Sequence, residues 1–229
     1  MKKLIGYKNS NAFNRKNLAQ FPPSYPNEMM VKILSSKAYS DILPNSFFKK
    51  RLKVLEIGCA SGNNLRFFIE KKYNVRGVEI NKDMINLGVK NLKRLKYKVP
   101  KIVLGQNTNL PFPDNSFDCL VSINTLHYCS GRDNTKALKE FKRVTKKNGV
   151  IYIETSGHKH FSRKISKKIA PLKWKWKSND FKNKYVFGFF TNKKHFENHL
   201  KKCFSKVEVF ERTEFAHMDL HFYQGLCIV

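Results

Sequence analysis

The feature that most limits the fold of this chain is a rhythm. Between residues 53 and 154, short apolar runs alternate with longer segments of helical periodicity. Lys53-Val54-Leu55-Glu56-Ile57 stops at a glycine and reads as a strand, and 64–72 as a helix. Residues 74–80 give a second strand, 82–96 a second helix and 101–104 a third strand. Residues 117–123 are nearly all apolar, which predicts a fourth strand buried on both faces. Residues 134–145 read as a helix stopped by Lys147-Asn148-Gly149, and 150–154 as a fifth strand. Near the end, 206–211 and 222–229 read as two further strands with no long helix between them, hence an antiparallel edge hairpin. This order predicts an α/β fold: a doubly wound, mostly parallel seven-stranded sheet, with right-handed crossovers and helices on both faces.

Two regions depart from the rhythm. Residues 1–26 are polar and rich in Asn and Pro, an irregular arm ending in Phe21-Pro22-Pro23-Ser24-Tyr25-Pro26. Asn27 is placed to cap a helix over 28–39, with Met29, Met30, Ile33 and Leu34 on one face. Residues 1–45 are therefore expected to form an N-terminal arm and helix, and 46–229 the main domain. Residues 157–190, rich in Lys and aromatics, follow the fifth strand on the side where open α/β sheets bind ligands. They read as an insertion covering an active site.

Composition removes several classes. A length of 229 residues, 41% of them hydrophobic and with 19 Phe, fits one packed domain. No apolar stretch approaches 18 residues, so no transmembrane helix is expected. The basic start has no long apolar segment behind it and does not read as a secretory signal. Five cysteines, an odd number with no C-x-x-C pair, predict free thiols in a reducing cytoplasm rather than disulfides or a metal site. The net charge of +28 has two readings: a polyanionic partner such as RNA or anionic lipid, or a compositional bias spread over the whole chain.

Three signals carry chemistry. The first strand runs into Gly58-Cys59-Ala60-Ser61-Gly62, a small-residue turn that opens a helix. Glycines there permit close backbone approach to a ligand, and the helix aims its first N–H groups at it. The second is Glu79, closing the next strand 23 residues after Glu56 and able to accept hydrogen bonds from both hydroxyls of a ribose. Its bland alternative is a solvated strand-end carboxylate. The third is Leu110-Pro111-Phe112-Pro113-Asp114-Asn115-Ser116-Phe117-Asp118, a Pro-locked turn and an Asp-Asn-Ser turn feeding the fourth strand.

Together these residues resemble the class I, Rossmann-like methyltransferases that use S-adenosylmethionine, especially those carrying an LPFPDNSFD stretch and acting on small molecules. The resemblance covers about residues 50–156. It departs from the family's Gly-x-Gly-x-Gly at Ala60, and at Gln106, where Gly-Asp is usual after the third strand. It implies an S-adenosylmethionine cofactor, with Glu56 organising the methionine amino group and Gly58, Cys59, Ala60 and Gly62 lining the methionine and ribose. It further implies that Glu79 binds the ribose hydroxyls, Ile80 packs on adenine, and Gln106 with Asn107 meets the adenine edge. Ser122 and Ile123 would offer carbonyls near the methionine ammonium. His127 is the candidate general base for an acceptor, or a histidine that only packs under the next loop.

Acceptor-side candidates are Tyr25 and Glu28 in a Tyr25-Pro26-Asn27-Glu28 segment similar to the arm of some methyltransferases of small molecules or surface-glycan precursors. Tyr128 and the insertion's Trp174, Trp176 and Phe190 join them, flanked by lysines that could hold a phosphate or carboxylate. The alternative for the insertion is a solvated helix face. The function expected is methyl transfer to O or N of a small acceptor, with an anionic metabolite or a surface-glycan precursor as the candidates. RNA methylation is the runner-up, and a catalytically silent cofactor-binding protein the third reading.

Overall fold

A computed structural model describes residues 25–48, 51–176, 186–215 and 219–229. The five expected strands are β1 (Lys53–Ile57), β2 (Asn74–Glu79), β3 (Lys101–Leu104), β4 (Phe117–Ile123) and β5 (Thr145–Ser156). They pair in parallel in the order β3-β2-β1-β4-β5. β9 (Lys206–Phe215) and β10 (Asp219–Ile228) form the hairpin, and β10 inserts antiparallel between β5 and β9. The result is the seven-stranded, mostly parallel α/β sheet the alternation predicts.

Alternate residues of each strand face opposite layers. On one side Val54, Val75, Cys119, Val121 and Tyr152 pack under α1 (Glu28–Ser35), α2 (Asn63–Glu70) and α3 (Lys82–Arg94) through Met30, Ile33, Phe68 and Leu92. On the other, Leu55, Ile57, Leu120, Ile151 and Tyr223 pack under α4 (Arg132–Val144) and α6 (Lys193–Lys201) through Leu138, Phe141, Phe196 and Leu200. β4 is buried along nearly its whole length, as its apolar run requires. Among the described residues no helix is long and apolar enough to cross a membrane.

Several details differ from expectation. α1 stops at Ser35 and a separate 3₁₀ turn covers Lys37–Tyr39. Asn27 does cap it, accepting from Met30 N at 2.9 Å. Lys147-Asn148-Gly149 does not end α4. The helix ends at Val144, where the Thr145 hydroxyl donates to Phe141 O, and the Lys-Asn-Gly segment sits within β5 at a register shift against β4. Asn148 there takes a positive φ of 60° and its N–H donates to Val229 O. α6 was not anticipated, although Asn192 accepts from His195 N and caps it. The insertion is not a helix face: α5 (Phe161–Lys164) leads into a three-stranded sheet of β6 (Ser166–Ala170), β7 (Lys173–Trp176) and β8 (Val186–Phe187).

The Leu110–Asp118 stretch has a visible anchor. Arg143 donates to the carbonyls of Leu110 and Phe112, to Asp114 Oδ1, and to both oxygens of Glu140. Glu140 in turn accepts from Leu110 N at 2.8 Å, and its carboxyl is held below the usual range chiefly by the Arg143 hydrogen bonds. A planar fork serves this arrangement and an ammonium does not. Arg143→Lys is expected to lose at least two of these bonds and about 1–2 kcal/mol of stability, read from the urea midpoint at unchanged m-value.

Candidate active site

The turn after β1 is held open by backbone geometry. Gly58, Ala60 and Gly62 have φ of 67°, 39° and 78°. Gly58 N and Cys59 N donate to Val78 O, and Gly62 N to Cys59 O. Ala60 thus occupies the left-handed region that glycine fills more easily, and its N–H is held by Glu79 Oε2 at 3.1 Å. A Cβ on Gly58 would lie 2.1 Å from Thr125 Cγ2, so this glycine is required by the turn after β4 and not only by a ligand. The Cys59 side chain points into the core beside Gly77, leaving only its backbone to line a site.

Two carboxylates close β1 and β2. Glu79 is buried and accepts from the backbone N–H of Ala60, Ile80 and Asn81; burial raises its pKa against those hydrogen bonds. Glu56 is 1% exposed. Its Oε1 accepts from Asn64 Nδ2 at 2.9 Å, while Oε2 is buried without a partner. Burial pushes its pKa up to about 8. An unpaired carboxylate oxygen of this kind fits a ligand ammonium, which would lower that pKa again. Gln106 Oε1 is likewise buried and unpartnered at the end of β3, which fits an acceptor for an amino group. Asn107 Nδ2 donates to Cys129 Sγ, which turns that amide nitrogen away from a ligand. Ser122 is fully buried with its hydroxyl 2.6 Å from Thr125 Oγ1; Ile80 and Ile123 stay partly exposed at their strand ends.

The arm contributes a residue the sequence reading passed over. Asn27 N donates to Asn64 Oδ1, and Asn27 Nδ2 to Glu154 Oε1 at 2.9 Å. Glu154, fully buried near the end of β5, also accepts from Gln224 Nε2 and Arg212. A continuous polar chain therefore links Glu56, Asn64, Asn27 and Glu154 across the carboxyl ends of the strands. Glu28, by contrast, is solvent-facing and paired with Lys32, and Tyr25 is 79% exposed. The member of that segment that the site engages is the half-buried Asn27, whose signal was its capping position.

On the acceptor side His127 meets Tyr128 at a tilt of 41°, with Phe187 and, stacked, Phe189 beyond. Gly188 N donates to His127 O and Gly131 N to Leu172 O, tying the insertion to the turn after β4. His127 Nδ1 is buried without a partner, and burial pushes the pKa down to about 3. The imidazole is thus a hydrogen-bond acceptor at neutral pH and a weak base. Trp174 is buried, donating to Phe189 O under the Arg163 guanidinium. Phe190 belongs to the core beside Phe196 rather than to a pocket wall. The Trp176 side chain and Lys177 lie outside the described residues.

The unpaired Glu56 makes stability depend on pH. Its folded pKa is raised, so the folded state keeps a proton that the unfolded chain releases between about pH 4.5 and 8. Its contribution is intact below that window and is lost as pH rises through it, by up to about 1.4 kcal/mol per pH unit. Urea midpoints at pH 5.5, 6.5 and 7.5 should show Glu56→Gln gaining on the parent as pH rises. A stability difference that does not change with pH would rule out this protonation state.

Comparison with known proteins adds a domain match. The "Methyltransferase domain" family matches residues 55–153. A demethylmenaquinone methyltransferase of Bacillus velezensis is 30% identical over 112 residues, 47% of each protein. A mouse protein named "Probable tRNA methyltransferase 9B" is 24% identical over 122 residues, 53% of this chain and 25% of that protein. The chain thus spans half or less of the length of these relatives. Among solved structures, the PH0226 protein of Pyrococcus horikoshii superposes with a TM-score of 0.64 at 19% identity, over 93% of this chain and 98% of that one. An S-adenosylmethionine-dependent methyltransferase of Clostridium acetobutylicum gives 0.60 at 14%, over 88% and 96%. Strand order, glycine turn, paired strand-end carboxylates and the match over residues 55–153 together support a methyltransferase domain of the class I, S-adenosylmethionine-dependent type within this chain.

Proposed function

We propose that this chain transfers a methyl group from S-adenosylmethionine to oxygen or nitrogen of a small acceptor held between the turn after β4 and the 157–190 insertion. The observation that carries the reading is Glu56: a fully buried carboxylate with one free oxygen, at the end of β1 and beside a turn opened by three positive φ angles. S-adenosylmethionine, when bound, supplies an activated methyl group on a sulfonium. Glu56 would take the methionine ammonium, Glu79 the ribose hydroxyls, and Gln106 Oε1 the adenine amino group. Gly58, Gly62, and the backbone of Cys59, Ala60, Asn107, Ser122 and Ile123 would line the rest, with Ile80 against the ring.

His127 would align the acceptor through its unpartnered Nδ1, and Tyr128 would wall the pocket. Removing an acceptor proton then falls to solvent or to another group, because a base near pKa 3 is poorly matched to neutral pH. The aromatic cluster of His127, Tyr128, Phe187 and Phe189 supports a small acceptor over a polymer. One observation favours the second reading, methylation of RNA: Lys167, Lys168 and Lys173 are exposed on the insertion sheet, while Trp174 between its lysine neighbours is buried. Binding of a generic RNA that falls steeply with salt yet stays weaker than micromolar at physiological ionic strength would be non-specific and leave the first reading standing.

Calorimetry with S-adenosylhomocysteine tests the cofactor assignment. Near pH 7 the ammonium should displace close to one proton from Glu56, so the measured enthalpy should differ between Tris and phosphate buffers. Glu56→Gln should abolish that difference. Glu79→Ala should raise the dissociation constant about ten- to a hundredfold, the loss of about 1.5–3 kcal/mol expected for hydrogen bonds to a charged group. Absence of any binding by the parent protein would overturn the reading.

A further inference from the structure

Three side chains outside the cofactor site come together at the same end of the sheet. His158 follows β5 at the base of the insertion, Glu211 lies on β9 and His221 on β10. One ligand atom from each lies within 4.8 Å of the other two. His221 is fully buried, His158 half-buried and Glu211 at the surface, so the cluster is fixed on one side and reachable from the other. His221 Nε2 is 2.6 Å from Glu211 Oε1.

We propose that His158, Glu211 and His221 form a binding site for a divalent transition-metal ion. Two imidazoles and a carboxylate are the donor set that suits zinc, cobalt, iron or nickel, whereas magnesium and calcium prefer oxygen donors throughout. The three ligand atoms lie close enough for one ion to draw them together. Bonds of about 2.0–2.2 Å from one ion to a nitrogen and an oxygen leave those atoms roughly 3.4 Å apart at a near-tetrahedral angle. His221 Nε2 and Glu211 Oε1, 2.6 Å apart, would open by a little under an ångström to admit the ion. Both rings are held in place: His158 Nδ1 is hydrogen-bonded to the Tyr223 hydroxyl, and His158 and His221 meet edge to face with centroids 4.9 Å apart. Gly157 makes room for this, since a Cβ there would fall 1.9 Å from His221 Nδ1.

Lys159 and Arg163 place some positive charge near His158, against which Glu211 and the ion's ligand bonds must act, while the other cationic contacts are already taken up. The Arg163 guanidinium donates to His158 O and lies over the Trp174 ring, and Lys164 pairs with Asp219. The three ligands come from the loop that begins the insertion and from both strands of the terminal hairpin. An ion would therefore fasten the base of the proposed cover to the sheet edge, with the remaining coordination positions open towards solvent or an acceptor. The site itself does not depend on the methyltransferase reading, and neither does its test.

Untagged protein, freed of metal by chelation, is titrated with Co2+, whose visible absorption reports four- or five-coordinate nitrogen and oxygen ligation. One strong site per chain is expected, together with a rise in thermal midpoint on adding Zn2+. Loss of a mere outer partner of a metal ligand costs roughly 10–100-fold in affinity, so His158→Gln and Glu211→Gln should each weaken Co2+ at least tenfold. Both sites are partly exposed, and these variants are expected to fold even if His221→Gln does not. His195→Gln, outside the cluster, should bind as the parent does. A parent protein without the Co2+ band, or affinity unchanged in His158→Gln and Glu211→Gln, would overturn the proposal.

Discussion

The Glu79 carboxylate holds the site together before any ligand arrives. Three backbone N–H groups converge on it, two from the start of the following loop and one from Ala60 in the turn after β1. That last bond crosses between two strands, so the end of β2 fixes the shape of the turn that closes β1. The turn has little other freedom. Gly62 lies against Leu92 of α3, Gly88 admits the Ala60 carbonyl into the same helix, and Gly58 admits Thr125 from the far side. A backbone with three left-handed residues in five is costly by itself, and these contacts over-determine it. The strain sits where a family of this fold is proposed to lay its cofactor.

What could be read from sequence follows from how local each signal is. Strands β1 to β5 were legible because each is a short apolar run between turn residues, and their parallel order follows from the helices between them. Glu56 and Glu79 were legible because each ends such a run. The cap at Asn27 was also legible, but its second use, bridging Asn64 and Glu154, was not: residues 127 positions apart share no local pattern. The same reason hides His158, Glu211 and His221, which only the antiparallel placement of β10 beside β5 brings together. Lys147-Asn148-Gly149 misled because a positive-φ residue serves a helix end or a bulge equally well, and the Thr145 hydroxyl had already closed the helix. In 157–190 the lysines obscured the period-two alternation that places Trp174 inside between outward neighbours. His127 shows the limit of residue type as a guide, since its burial removes the basicity for which a histidine would be chosen.

Charge is divided sharply in this molecule. The chain carries +28, yet the polar groups buried deepest at the strand ends include three glutamates, Glu56, Glu79 and Glu154, all with pKa values raised by burial. Each is treated differently. Glu154 is met by Arg212, Gln224 and Asn27, and Glu79 by three backbone N–H groups. Glu56 has Asn64 alone and keeps an oxygen without a partner. Burying a carboxylate with half its hydrogen-bonding capacity unused is unfavourable unless it is protonated or another group supplies the missing partner. A ligand ammonium would supply both the partner and the charge, which makes the unmet demand of Glu56 the feature of this fold that points most directly at what it binds. The abundant surface lysines cannot meet that demand, because none reaches Glu56 within hydrogen-bonding distance among the described residues.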